Sequence, residues 1–284
     1  MLVKIGGVPE HYNIHWHLLI EKKPFNLKNF DVCWFDYSTG TGQLMKDIDS
    51  NKLDIAIVLT EGAIKFILEG CNAKIIDFYV LSPLIWGVYV SFNSFLKLCD
   101  IFEKRIGISR FGSGSHLIPI IHAKTVGEEI PHDNFVVVND LEGALKAFEK
   151  NECDVFYWEK FTTNPFVKAH KLKCLGYFKS PWPSFVIVCN TDFGSKNQNL
   201  IVDIIEYLKN QIQSALKDDL IEPIQTRYNL DIDDINEWIK DVEWNDFKEK
   251  PLKKIEDVIF QLANMGILNQ KILMDNILFE FNKS

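Results

Sequence analysis

The sequence predicts an α/β protein of two similar lobes, joined by a double-strand hinge and followed by C-terminal helices. Three observations carry this reading. Short apolar runs alternate with helix-length amphipathic segments, which implies parallel strands covered by helices. One β-α-β-α-β plan recurs at an offset of about one hundred residues. An extended Pro-bearing segment follows each copy, as expected of strands that cross from one lobe to the other.

Taken in order, Leu2–Ile5, Val32–Phe35, Leu53–Val58 and Ile75–Val80 read as the strands of the first copy. Ile106–Ser109, Phe135–Val138 and Val155–Trp158 read as those of the second. The repeat is plainest where Asn51-Lys52-Leu53-Asp54-Ile55-Ala56-Ile57 is echoed by Asn151-Glu152-Cys153-Asp154-Val155-Phe156-Tyr157. Lys4-Ile5-Gly6 and Arg105-Ile106-Gly107 form a weaker echo. The crossings are Leu81 to Val88 and Ser180 to Val186, so residues 1–85 and 185–284 are assigned to lobe one and 88–182 to lobe two. Beyond Leu200 the pattern is helical: Leu200 to Leu216, a helix through Lys240 capped by Asp231 or Asp233, and Lys253 to Met265 ended by Gly266.

Composition narrows the function. The chain has 284 residues, 47% hydrophobic and 25% charged, enough for substantial cores. A net charge of −8 supplies no basic face for phosphate contacts, so nucleic acid is not expected as a partner. The most apolar windows, such as Tyr79 to Val90, fall short of the ~20 residues of a membrane span, so no membrane role is expected. The first residues lack the pattern of a signal peptide, and a cytoplasmic location is the expectation. Six dispersed cysteines without a CxxC pair suit reduced core thiols rather than disulfides or structural zinc.

Candidate binding residues cluster after the strands, where ligands gather in open α/β sheets. The strongest is Ser109-Arg110-Phe111-Gly112-Ser113-Gly114-Ser115-His116. Its Gly/Ser turn opens a helix, and Arg110 with Gly112, Ser113, Gly114 and Ser115 suits an anionic or strongly accepting group. In the first copy Thr39 and Thr41 of Tyr37-Ser38-Thr39-Gly40-Thr41-Gly42 are placed to cap a helix or offer a hydroxyl to a ligand. Thr60 and Glu61 follow the third strand, Glu61 facing an amine or amidine or pairing with Arg110; Trp158 and Glu159 are the counterparts in the second copy. Ser82 lies on the first crossing. His11 and Trp16 belong to a first loop that also holds His15 and His17, a spacing weak for a metal and better suited to hydrogen bonding or packing. Trp16, Trp86, Phe111, Trp158, Phe161 and Trp182 stand near strand ends or crossings, where one or two are suited to stack on a flat heterocycle. No catalytic grouping, metal site or cofactor is expected from these motifs.

The repeated Asp-Ile/Val strand, Gly40-Thr41-Gly42, the two crossings and Leu262-Ala263-Asn264-Met265-Gly266-Ile267-Leu268 resemble type II periplasmic-binding-protein-like chains of the NMT1/THI5-like group. More narrowly, Gly6-Gly7-Val8-Pro9-Glu10-His11, Leu59-Thr60-Glu61-Gly62, Ser82-Pro83-Leu84-Ile85-Trp86-Gly87, the Ser109–His116 turn and Trp158-Glu159-Lys160-Phe161-Thr162-Thr163 resemble a signal-less branch found in fungi and some bacteria. The resemblance implies the two-lobed binding-protein fold, and the function expected with it is that of a non-catalytic, intracellular binding protein that closes two lobes around a small polar ligand, heterocyclic or anionic. Its protein partner stays open. An alternative is an enzyme of thiamine-pyrimidine metabolism related to THI5-like synthases. The Cys-rich iron motif of those enzymes has no match here, and neither has an alignable Lys/His pair.

Overall fold

Buried β-branched runs set the strands. In β1 (Leu2–Gly7), β2 (Asp31–Asp36) and β3 (Ile55–Leu59), residues such as Val3, Ile5, Val32, Ile55 and Ile57 are withdrawn from solvent. The helices that follow, α1 (Ile14–Lys22), α2 (Thr41–Asp49) and α3 (Thr60–Leu68), bury Ile14, Leu44, Met45, Ile48, Ile64 and Ile67. The computed structural model describes residues 1–23, 30–268 and 277–281.

The chain forms two compact units. The first comprises residues 1–82, 182–229 and 239 onward; the second comprises 83–181 with 230–238. With β4 (Ala73–Val80) and β10 (Phe185–Asn190), the first sheet has the order β2-β1-β3-β10-β4. The second unit holds β5 (Ile85–Ser91), β6 (Ile106–Ile108), β7 (Phe135–Val137), β8 (Val155–Glu159) and β9 (Leu172–Lys179), in the order β7-β6-β8-β5-β9. The plans are the same. Within each, four strands share one direction, and the fifth, β10 or β5, runs antiparallel between two of them and arrives through a connecting segment.

In the second unit the strands alternate with α4 (Gly114–Thr125), α5 (Leu141–Glu149) and α6 (Lys160–Lys168). Ala144, Ala147 and Phe148 of α5 pack with Tyr89, Cys153 and Phe156 in one apolar cluster. The tail supplies α7 (Thr191–Lys196), α8 (Gln198–Ser214), α9 (Ile221–Tyr228), α10 (Ile232–Asp241) and α11 (Leu252–Asn264). Asp231 accepts the amide of Asp233 at the start of α10, and Gly266, at φ +65°, closes α11 in the left-handed region.

Residues 230–238 depart from the assignment of all of 185–284 to one lobe. They pack with the second unit because their acidic groups meet donors on α6. Lys168 Nζ lies 2.9 Å from both Asp231 and Asp234, Asn164 Nδ2 donates to Asp234 at 2.9 Å, and Lys160 pairs with Glu237. The cysteines also divide. Cys153 and Cys189 are buried, as core thiols are, whereas Cys99 is exposed. Among the described residues no helix is long and apolar enough to cross a membrane.

Candidate functional site

In the first unit β1, β2 and β3 are parallel, so the loops leaving their carboxyl ends meet at one edge of the sheet. Thr60 and Glu61 open α3 there. Glu61 is 2% exposed; Trp182 Nε1 donates to its Oε2 at 2.9 Å, while Oε1 has no hydrogen-bond partner among the described residues. Burial pushes this carboxyl up to about 7, and the indole hydrogen bond only partly offsets that push.

Of the hydroxyls expected to face a ligand, those of Thr41, Thr60 and Ser82 are spent on the fold. Thr41 does not cap α2. The cap position is Gly40, at φ +77°, and Thr41 Oγ1 instead accepts the amide of Leu59 at 3.1 Å. Thr39 is exposed and caps nothing. Thr60 Oγ1 donates to Pro183 O at 2.6 Å, tying α3 to the segment that leads into β10. Ser82 Oγ accepts the amide of Glu243 at 3.2 Å, and Ser82 O receives the Ser184 hydroxyl at 2.8 Å. Thr41 also bears on Gly62, where an added Cβ would stand 2.6 Å from Thr41 Cγ2. Gly62→Ala is therefore expected to displace Thr41, weaken its hold on Leu59 and cost about 1 kcal/mol, read from the shift in urea unfolding midpoint.

His11, His15 and His17 are all buried. Desolvation lowers them to about 3, about 3 and about 4, the last two helped by Lys22 and Arg227 respectively, so they are neutral imidazoles at pH 7. They sit in an aromatic cluster. His15 meets Trp244 edge-on at 4.3 Å, His17 meets Trp34 at 4.9 Å, and His11 lies 4.7 Å from Tyr12. Trp16 is fully buried between Trp34 and Tyr79, which makes it a core residue rather than a face for a heterocycle. Among the described residues no group of three or more His, Cys, Asp or Glu is placed to hold a metal ion.

The second unit repeats the arrangement after β6 and β8. Gly112, at φ +80° with open space where a Cβ would be, turns the chain from β6 into α4. The serines of this turn are bound within it: Ser115 Oγ accepts the Ser109 amide at 2.8 Å, Ser113 Oγ donates to Arg110 O at 2.7 Å, and the two hydroxyls meet at 3.0 Å. His116 Nδ1 accepts the Gly112 amide at 3.0 Å. What the turn leaves for a ligand is backbone and charge: the first amides of α4, from Gly114 onward, and the guanidinium of Arg110. Arg110 Nε and Nη2 are buried without a hydrogen-bond partner among the described residues, and desolvation lowers the group's pKa. Phe111 is exposed and stacks on His132 at 5.0 Å.

Glu159, at the end of β8, caps α6: its Oε2 accepts the Thr162 amide at 2.8 Å. It is 2% exposed, its Oε1 has no partner among the described residues, and burial pushes it up to about 7 against the pull of the Thr162 and Phe161 amides. Trp158 stacks on Phe156 at 5.1 Å in the core cluster, so Glu159 rather than Trp158 carries the polar chemistry of this corner. Lys160 pairs with Glu237 and lies over the rings of Phe161 and Tyr177, at 4.7 and 5.0 Å from their centroids.

Two residues gain importance only in the structure. Trp182, read as one aromatic among several, is the donor that holds Glu61. Trp86, opposite Glu159 on β5, has a buried indole N–H without an acceptor among the described residues. Neither role leaves a signal in local sequence, because both partners come from distant segments.

Two sheets of this order, joined by two connecting segments, with loops at the carboxyl ends of the parallel strands, define the type II periplasmic-binding-protein fold. Within it, residues 92–178 match the family described as Ca3427-like PBP. The Candida albicans CA3427 gene product, described as defining a family with the generic periplasmic binding protein fold, superposes with a TM-score of 0.90 at 25% identity, covering 100% of this chain and 98% of its own. The alkanesulfonate-binding protein SsuA from Xanthomonas axonopodis pv. citri, bound to MOPS, has a TM-score of 0.79 at 12% identity, covering 98% of both chains. PhnD1 from Prochlorococcus marinus, in complex with methylphosphonate, has a TM-score of 0.63 at 13% identity, covering 94% of this chain and 99% of that one. In a sequence comparison with curated proteins, none matches. The resemblance read from the motifs thus narrows to the Ca3427-like family over residues 92–178, on a fold shared with solute-binding proteins.

Proposed function

We propose that the protein binds, without turnover, a small polar ligand through an anionic group held at the turn between β6 and α4. The observation that carries this is Arg110: a guanidinium whose buried Nε and Nη2 have no acceptor among the described residues, beside the N-terminus of a twelve-residue helix. Two buried, unanswered guanidinium nitrogens on a half-buried side chain are costly to the fold, and an anion that accepts from them and from the first α4 amides offsets that cost. The ligands of the structural relatives, MOPS on the alkanesulfonate-binding protein and methylphosphonate on PhnD1, each carry an anionic group of this kind. Binding rather than catalysis is favoured because the hydroxyls of Ser113 and Ser115 are engaged within the turn rather than with an imidazole base.

Isothermal titration with small sulfonates, phosphonates and carboxylates tests the reading. At least one class is expected to bind the wild type, and Arg110→Ala is expected to weaken it about tenfold or more, as loss of a charge-assisted hydrogen bond implies. Equal affinity in the variant contradicts the assignment.

A further inference from the structure

We infer that the first unit carries a binding site of its own, at the outer edge of its sheet, for a small apolar amine. The site is independent of the anion reading of Arg110. It is built on β4, the last strand in the order β2-β1-β3-β10-β4. Two short segments cover the ends of this strand's outer edge. At one end Ile75 donates to Ile277 O and accepts from the Phe279 amide, both at 2.8 Å; at the other, Asn245 donates to Tyr79 O at 2.9 Å and Leu81 donates to Glu243 O at 2.7 Å. Asp77 lies between the two. It lines a cavity of about 330 Å³ whose apolar walls include Ile76, Val202, Phe247 and Phe281, a volume within the ~300–1,000 Å³ of small-molecule sites.

The carboxyl has one oxygen to spare. Asp77 Oδ1 accepts from the Phe78 amide at 2.7 Å and from Asn245 Nδ2 at 2.9 Å, whereas Oδ2 has no hydrogen-bond partner among the described residues. Asn245 also fixes the wall: its Oδ1 accepts the Phe247 amide at 3.0 Å, and Phe247 sits at φ +56°, in the left-handed region that a bulky side chain rarely adopts. One buried amide thus couples the carboxyl to the ring. The charged groups around Asp77 are Glu206 and Lys209 on α8, Asp246 beside Phe247, and Lys254 on α11. Lys209 lies in the field of Asp246, and Lys254 pairs with Glu249 at 3.4 Å. Desolvation outweighs the two hydrogen bonds and the charge of Lys254, so the Asp77 carboxyl is raised to about 6. A cation brought to Oδ2 relieves that penalty. A neutral ligand leaves it in place, and an anion meets Asp77 and Glu206 with like charge. An ammonium on a short apolar body answers both the carboxyl and the walls.

Calorimetric titration of 2-phenylethylamine against 2-phenylethanol tests this with a pair of like shape that differs in charge. At about pH 8, where Asp77 is ionised, the amine is expected to bind about fivefold more tightly than the alcohol; at about pH 5, where it is protonated, that preference is expected to fall to about twofold or less. Asp77→Asn, which keeps the Oδ1 acceptor, is expected to remove the preference at pH 8. Val202 is 45% exposed on α8, so Val202→Trp is expected to fold, fill the cavity and weaken both probes about tenfold. Arg110→Ala is expected to change neither. An alcohol bound as tightly as the amine at pH 8, or no saturable binding of either, overturns the inference. Binding that Val202→Trp leaves unchanged, or that Arg110→Ala abolishes, overturns it as well. The wild-type pH comparison and Val202→Trp decide the matter even if Asp77→Asn does not fold.

Discussion

Raising the pH from about 5.5 to about 8 is expected to lower the unfolding free energy by about 2 kcal/mol for each of Glu61 and Glu159. Both carboxyls are raised by burial from their ordinary 4.5 to about 7. In the unfolded chain each releases its proton near 4.5, whereas in the folded chain it holds the proton to about 7, so across that window the folded state binds more protons. Stability from these groups is then full below 4.5 and lost as the pH rises through the folded value. The full loss is about 3 kcal/mol per group. Urea unfolding of the wild type, Glu61→Gln and Glu159→Gln at the two pH values measures it. Each variant is expected to flatten the pH dependence by its own share, and a wild type whose dependence neither variant changes would contradict the burial argument.

The opposite limb belongs to the histidines. His15 is lowered from 6.5 to about 3 by desolvation and by Lys22, so the unfolded chain takes up protons below 6.5 that the folded chain refuses. Stability from this neutral imidazole is present above 6.5 and is lost as the pH falls, by about 2 kcal/mol at pH 5 relative to pH 7. His11 and His17 add in the same direction. The carboxyls gain over part of the same range, so the wild-type profile is a dome and the histidine share is read from a variant. His15→Leu is expected to remove about 2 kcal/mol of the acid-side loss, measured as the difference in unfolding free energy between pH 7 and pH 5. A variant as acid-sensitive as the wild type would show that His15 is solvated.

The seven strands read from buried runs are present in the structure because their signal is local: a β-branched stretch bounded by turn residues needs no partner to be seen. β9 went unread because it is an edge strand whose Lys173, Gly176 and Lys179 interrupt the apolar pattern. The turns that carry Arg110, Glu61 and Glu159 were legible for a topological reason, since loops at the carboxyl ends of parallel strands gather at one edge. The duties of individual hydroxyls were not. Thr41 serves Leu59, 18 residues away, Thr60 serves Pro183, 123 away, and Ser82 serves Glu243, 161 away. A Thr after a strand looks the same in sequence whether its hydroxyl meets a ligand or a distant carbonyl. The transfer of residues 230–238 to the second unit escaped for the same reason, as their charges are matched only once Lys160, Asn164 and Lys168 line one face of α6.

Titration of amide-labelled protein with 2-aminoethanesulfonate, followed by two-dimensional NMR, tests most directly that the turn after β6 is the anion site. The largest shifts are predicted at the backbone amides of Gly112, Gly114 and Ser115, with the Arg110 Nε–H signal moving along the same binding curve. Shifts confined to residues of the first sheet, with that turn unmoved at saturation, would contradict it.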